Sequence, residues 1–172
     1  PAQTRPGTAT RLVVTLADSR TGRPVEDLTR GHEAWMHLIA TRADLGTFAH
    51  VHPQPTGVPG QLAVELTFPT AGRYIVNTEF RRQGEMGDIH QRQVLTVGGA
   101  PPAPVVAAPG PRSVVVDGVR VELTGRADAG GSSDLRFALT DDATGRPVYD
   151  LPPYLAAAGH VVVMRADGST FA

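Results

Sequence analysis

Trp35-Met36-His37-Leu38-Ile39-Ala40-Thr41, then Arg42-Ala43-Asp44-Leu45, then Gly46-Thr47-Phe48-Ala49-His50-Val51-His52 reads as a β-hairpin: two apolar, β-prone runs joined by a short turn. Successive side chains of a strand point to opposite faces, so His50 and His52 share a face, as do Trp35, His37 and Ile39. With an even loop, such as the four residues Ala43 to Gly46, Arg42 pairs with Thr47 and His37 stands opposite His52. Directly opposed side chains have Cβ atoms about 4.5–5.5 Å apart, within reach of one metal ion. Trp35 and Phe48 on the same face would exclude water from it.

Outward from the hairpin, the pattern of short strands and turns continues, with strands expected at Thr10–Ala17, Glu33–Thr41, Thr47–His52, Gln61–Phe68, Tyr74–Phe80 and His90–Val97. Such a density of short strands fits an immunoglobulin-like sandwich. In Phe68-Pro69-Thr70-Ala71-Gly72-Arg73-Tyr74 a strand ends, a glycine turns the chain and a tyrosine opens the next strand, as at a tyrosine corner. The 19 Gly and 15 Pro of 172 residues interrupt every stretch long enough for a helix, so an all-β fold is expected.

Thr21-Gly22-Arg23-Pro24-Val25 returns as Thr144-Gly145-Arg146-Pro147-Val148, an offset of 144 − 21 = 123. Without a gap, Asp27-Leu28 then maps to Asp150-Leu151, His37 to His160, Arg42 to Arg165, Asp44 to Asp167, and Thr47-Phe48-Ala49 to Thr170-Phe171-Ala172. A period this long indicates duplicated domains rather than a solenoid. Copy one spans 9–98, a Pro-rich linker 99–112, and copy two 113–172, with strands expected near Val114–Val116, Arg120–Thr124, Leu135–Thr140 and His160–Arg165. The expectation is two tandem β-sandwiches, the second incomplete at residue 172, where the counterpart of His50-Val51-His52-Pro53 would begin. The natural chain is expected to continue past Ala172, and with Pro1 in place of Met the numbered chain is expected to be a processed or trimmed form, which leaves room for an export signal or lipid anchor ahead of it.

With 41% hydrophobic residues the chain is too apolar to be disordered. The formal net charge is −1 and the 16 basic residues, all Arg, are scattered, which argues against nucleic acid as a partner. Absence of cysteine excludes disulfides, thiolate metal sites and cysteine nucleophiles. No D-x-D-x-D-G loop, helical H-E-x-x-H or G-x-S-x-G is present, so EF-hand, zincin and serine-hydrolase readings fail, and no enzyme activity is expected.

Imidazole suits zinc, copper, nickel and iron. Five of the six histidines fall between residues 32 and 90, and His37, His50 and His52 are the primary metal candidates. His90, His32 and Met36 are further candidates, although a regular strand turns Met36 away from His37. His160, with Leu155 and Gly159 where copy one has His32 and Met36, is expected to be structural.

Met36-His37-Leu38-Ile39, Arg42-Ala43-Asp44-Leu45, Phe48-Ala49-His50-Val51-His52-Pro53 and the Phe68–Tyr74 turn resemble a family of exported bacterial β-sandwich proteins carrying H-L-I-V-x-S-R-D-L-x-x-F-x-H-x-H-P, associated with heavy-metal and especially copper handling. This chain departs from the motif at Thr41 and Met164, where the family has Ser, and at Gly168, where it has Leu. The resemblance implies immunoglobulin-like or cupredoxin-like sandwiches in a secreted, periplasmic or membrane-anchored protein, with copper, or alternatively zinc, on His37, His50 and His52. The expected function is an extracytoplasmic metal-binding protein that buffers the ion or delivers it to a membrane or secreted partner. The alternative is a non-catalytic interaction module or accessory subunit of a larger membrane or secreted assembly, which edge strands open to β-augmentation would serve.

Overall fold

The computed structural model describes residues 4–106, 108–128, 130–153 and 157–168. It is all-β: β1 (Ala9–Thr15), β2 (Leu28–Thr29), β3 (His37–Arg42), β4 (Phe48–Val51), β5 (Gln54–Pro55), β6 (Gln61–Thr67), β7 (Gly72–Arg82), β8 (Ile89–Val97), β9 (Ser113–Val116), β10 (Val119–Arg126) and β11 (Asp134–Asp141). No helix among the described residues is long and apolar enough to cross a membrane. The chain divides into two compact units, one of Pro1–Ala107 with Leu155–Ala172 and one of Ala108–Tyr154.

In the first unit β1, β6 and β5 form one antiparallel sheet, and β2, β7, β3 and β4 form a second, with β8 also paired to β7. The alternation that the sequence shows is what joins these sheets. Leu38 and Ala40 of β3 and Tyr74 and Val76 of β7 pack with Leu66, Phe68 and Val97, against which Leu12, Val14 and Val64 lie. A second cluster holds Leu16, Val25, Met36, Leu62 and Phe80. Each large apolar side chain buried this way contributes about 1.5–3 kcal/mol. Between β1 and β8 a cleft of about 610 Å³ opens onto this interior, lined by Leu12, Val14, Phe80 and Leu95 among others. Tyr74, 1% exposed, donates its hydroxyl hydrogen to the Thr70 carbonyl at 3.0 Å, the geometry of a tyrosine corner.

The second unit is one antiparallel sheet in the order β11-β10-β9, and none of its described residues is buried. Among its described residues it is a single layer; of the second sandwich, expected to be incomplete, this sheet is the part seen. Its turns nonetheless repeat those of the first unit. Asp18 accepts from the Thr21 amide at 2.9 Å and hydroxyl at 3.0 Å while its own amide reaches the Arg23 carbonyl at 2.9 Å. Asp141 does the same with Thr144, at 2.7 and 2.6 Å, and Arg146, at 2.8 Å. Gly22 and Gly145 both have φ 69°, so glycine serves the left-handed position of this turn in each copy.

Three sequence expectations change. The strand expected from Glu33 begins only at His37, because Gly31 and Ala34 exchange hydrogen bonds of 3.0 Å around a tight turn at His32-Glu33. The short strands β2 and β5 carry too few residues to show a period of two, and were not foreseen. Residues 160–165 are not the strand expected of them; among the described residues no ladder forms there, and the segment belongs to the first unit.

Candidate metal centre

Every residue of β3 is buried, on both faces. Leu38 and Ala40 point into the core, so His37, Ile39 and Thr41 take the other, outer face. β4 contributes Ala49 and Val51 to the core side, which leaves His50 outward and His52, two residues on, with it. The ladder pairs Leu38 with Val51, Ile39 with His50 and Thr41 with Phe48, and the same register sets His37 opposite His52. The expected hairpin parity is therefore the observed one.

That register is held at the turn. The Arg42 guanidinium donates to both oxygens of Asp44, at 2.7 and 2.6 Å, and the carboxylate also accepts from the Gly46 amide at 3.0 Å and the Val105 amide at 2.7 Å. These hydrogen bonds, led by Arg42, hold the Asp44 carboxyl well below the usual carboxylate range. Leu45 closes the turn to the Arg42 carbonyl at 2.7 Å with φ 60°.

On the outer face one nitrogen from each of His37, His50 and His52 lies within 4.8 Å of the other two. His37 Nδ1 is 3.1 Å from His50 Nε2, and His37 Nε2 is 3.2 Å from the Gly31 carbonyl oxygen. A carbonyl only accepts, so His37 Nε2 is the donor of this bond, and in a neutral ring Nδ1, the nitrogen that faces His50, is the one left to ligate. A second hydrogen bond of this kind is what orients a ligating histidine. Nitrogens bound about 2.0–2.1 Å from a tetrahedral ion are roughly 3.3 Å apart, close to the His37–His50 spacing. Burial, then the imidazoles of His37 and His160, lowers the His50 pKa from its ordinary value. Burial, then His50, His37 and His160, pushes His52 down to about 4. His50 and His52 are thus neutral at pH 7, the protonation state that metal ligation requires.

The other candidates lie elsewhere. Met36 is fully buried with Leu16, Val25, Leu62 and Phe80, on the core side that a regular strand assigns it. His32 is exposed, its ring centroid 6.2 Å from that of His37. His90 is exposed on β8 with Nδ1 3.6 Å from Glu79 Oε2. The water exclusion expected of Trp35 and Phe48 does not come from them: Trp35 packs beside the second core cluster, and Phe48 is 59% exposed. Residues 157–168 supply cover instead. Met164 Sδ lies 3.9 Å from Thr41 Oγ1, and the His160 ring centroid is 6.5 Å from that of His37 and 6.0 Å from that of His50.

Two residues of this face were not read from the sequence as part of it. Glu79 pairs with His37 on one side and His90 on the other, so one row across the sheet reads His52, His37, Glu79, His90. Which β7 residue meets His37 depends on a long-range register that no local pattern encodes. His160 was visible as the repeat counterpart of His37, but its approach to the site was not.

What this arrangement can do chemically is hold one ion on three imidazoles, that of His37 oriented by the Gly31 carbonyl. No match was found among curated proteins or among solved structures. A family model covers residues 2–95 and 113–172, most of both copies, and its description names neither an activity nor a metal. The chain accordingly belongs to the family described as "Domain of unknown function (DUF8832)".

Proposed function

We propose that the chain is an extracytoplasmic metal-binding protein that takes up copper at His37, His50 and His52 and buffers the ion or delivers it to a membrane or secreted partner. The observation that carries this reading is the convergence of three imidazole nitrogens within 4.8 Å on a sheet whose register is fixed by a charged turn. Copper over zinc rests on the resemblance of the Met36–Pro53 segment to exported copper-handling proteins, since imidazole alone suits both metals. The tyrosine corner and the two facing sheets support an immunoglobulin-like or cupredoxin-like sandwich for residues 9–98. Binding rather than catalysis fits the surroundings: Glu79, across the ladder from His37, sits against His90. The other expectation, an accessory interaction module, has the cleft between β1 and β8 in its favour, and a strictly monomeric species by native mass spectrometry from the host would count against it.

Calorimetric titration of Cu(II), Cu(I) and Zn(II) into wild type and His50→Ala/His52→Ala tests the main reading. Wild type is expected to bind Cu(II) or Cu(I) more tightly than Zn(II), and the double variant to lose at least about 100-fold, or 2.7 kcal/mol. Equal affinities in the two proteins would refute it.

A further inference from the structure

We infer that His160 is a fourth ligand of this centre, so that residues 37 and 160, which occupy the same place in the two copies of the repeat, meet at one ion. The inference rests on the reading of His37, His50 and His52 as a metal site, and extends it to a segment previously expected to be structural. His160 is half-buried, and its ring faces those of His37 and His50 with centroids 6.5 and 6.0 Å away. An imidazole bound at about 2.0–2.1 Å has its ring centroid roughly 3.2 Å from the ion, so two ligands of a tetrahedral ion have centroids roughly 5.2 Å apart. The His160 ring faces two rings of the triad at 6.5 and 6.0 Å and lies outside the 4.8 Å spacing that joins His37, His50 and His52, so binding brings it roughly 1 Å inward.

Its placement is fixed independently of the histidines. Four residues on, Met164 meets Thr41, again a pair 123 residues apart. Gly168 is buried against Ile75, where a Cβ would come within 2.5 Å of Ile75 Cδ1. Residues 157–168 are therefore seated along the outer face of β3 and β7 by contacts at the opposite end of β3 from His37. Three imidazoles leave a tetrahedral ion with an open position; the fourth closes it with nitrogen and excludes water, the form of a site that stores an ion rather than one that activates a substrate.

Cobalt tests this, because the d–d bands of Co(II) intensify sharply when its coordination becomes tetrahedral. The full chain, His160→Ala and His50→Ala/His52→Ala are titrated with Co(II), and the ion is then displaced with Zn(II). The expected result is intense bands for wild type, and for His160→Ala weaker bands with Kd raised at least as much as loss of an outer-shell partner raises it, about 10–100-fold. A His160→Ala variant that matches wild type in both spectrum and Kd overturns the role of His160 while leaving the three-histidine site standing. No binding of Co(II) or Zn(II) by wild type overturns the four-nitrogen site, while the copper reading is decided separately by the Cu(II) and Cu(I) titrations. Since His160→Ala can also loosen residues 157–168, the ring ¹⁵N resonances of the wild-type histidines are followed as Zn(II) is added. A metal-bound shift at His160 supports the proposal, and an unchanged His160 alongside shifted His37, His50 and His52 refutes it.

Discussion

His37 Nε2 has its own acceptor, the Gly31 carbonyl, which also receives the Ala34 amide at 3.0 Å. That carbonyl is aimed by a turn whose two central residues, His32 and Glu33, have φ of 49° and 64°. Left-handed backbone at a non-glycine residue costs on the order of 1 kcal/mol or more, and persists where the surrounding structure imposes it. Asn-Gly is the pair that such a turn prefers. His32→Asn/Glu33→Gly is therefore expected to raise the unfolding free energy by about 1–2 kcal/mol, read from the urea midpoint at unchanged m. Zn(II) affinity is expected to stay at the wild-type value, because His32 lies outside the triad; a large fall would return His32 to the ligand set.

The element that makes the site is the β3–β4 hairpin, and its register depends on Arg42 and Asp44. Slipping the pairing by one residue would turn His50 and His52 to the core face. The folded-state pKa of Asp44 lies below its unfolded value near 3.9, so the unfolded chain binds the proton first as pH falls. The stabilisation is thus complete above about pH 4 and is lost as pH drops through the folded-state pKa. Asp44→Asn is expected to melt at a lower temperature than wild type at pH 7, with the gap narrowing below about pH 4. A gap that stays constant down to pH 2 would mean that the Arg42 pairing is not its source. The hairpin itself was legible in advance, since its alternation and loop length are local. The start of β3 was not: the turn at Gly31–Ala34 has none of the usual Asn-Gly chemistry.

At the scale of the whole molecule, the duplication decides what covers the site. Leu45 and Gly168, at matching places in the repeat, close the same turn with φ of 60° and 65° and bond back to Arg42 and Arg165 at 2.7 and 2.8 Å. Leucine serves that backbone in copy one, so conformation does not demand glycine in copy two; Ile75 does, by its closeness. Gly168→Leu is expected to destabilise by about 1–3 kcal/mol, the range for overpacking a well-packed site, measured by thermal melting. It should also weaken Zn(II) binding in the same direction as His160→Ala, by lifting residues 157–168 from the face. Melting and affinity both unchanged would show that the segment is not seated there. The all-β class, the β3–β4 register, the convergence of His37 with His50 and His52, and the repeat were all legible along the chain, because alternation, loop length and self-similarity are local or linear patterns. That Glu79 stands beside His37 and that His160 returns to its own counterpart came from the folded chain alone, because long-range pairings and the packing of one segment on another depend on contacts between residues far apart in sequence.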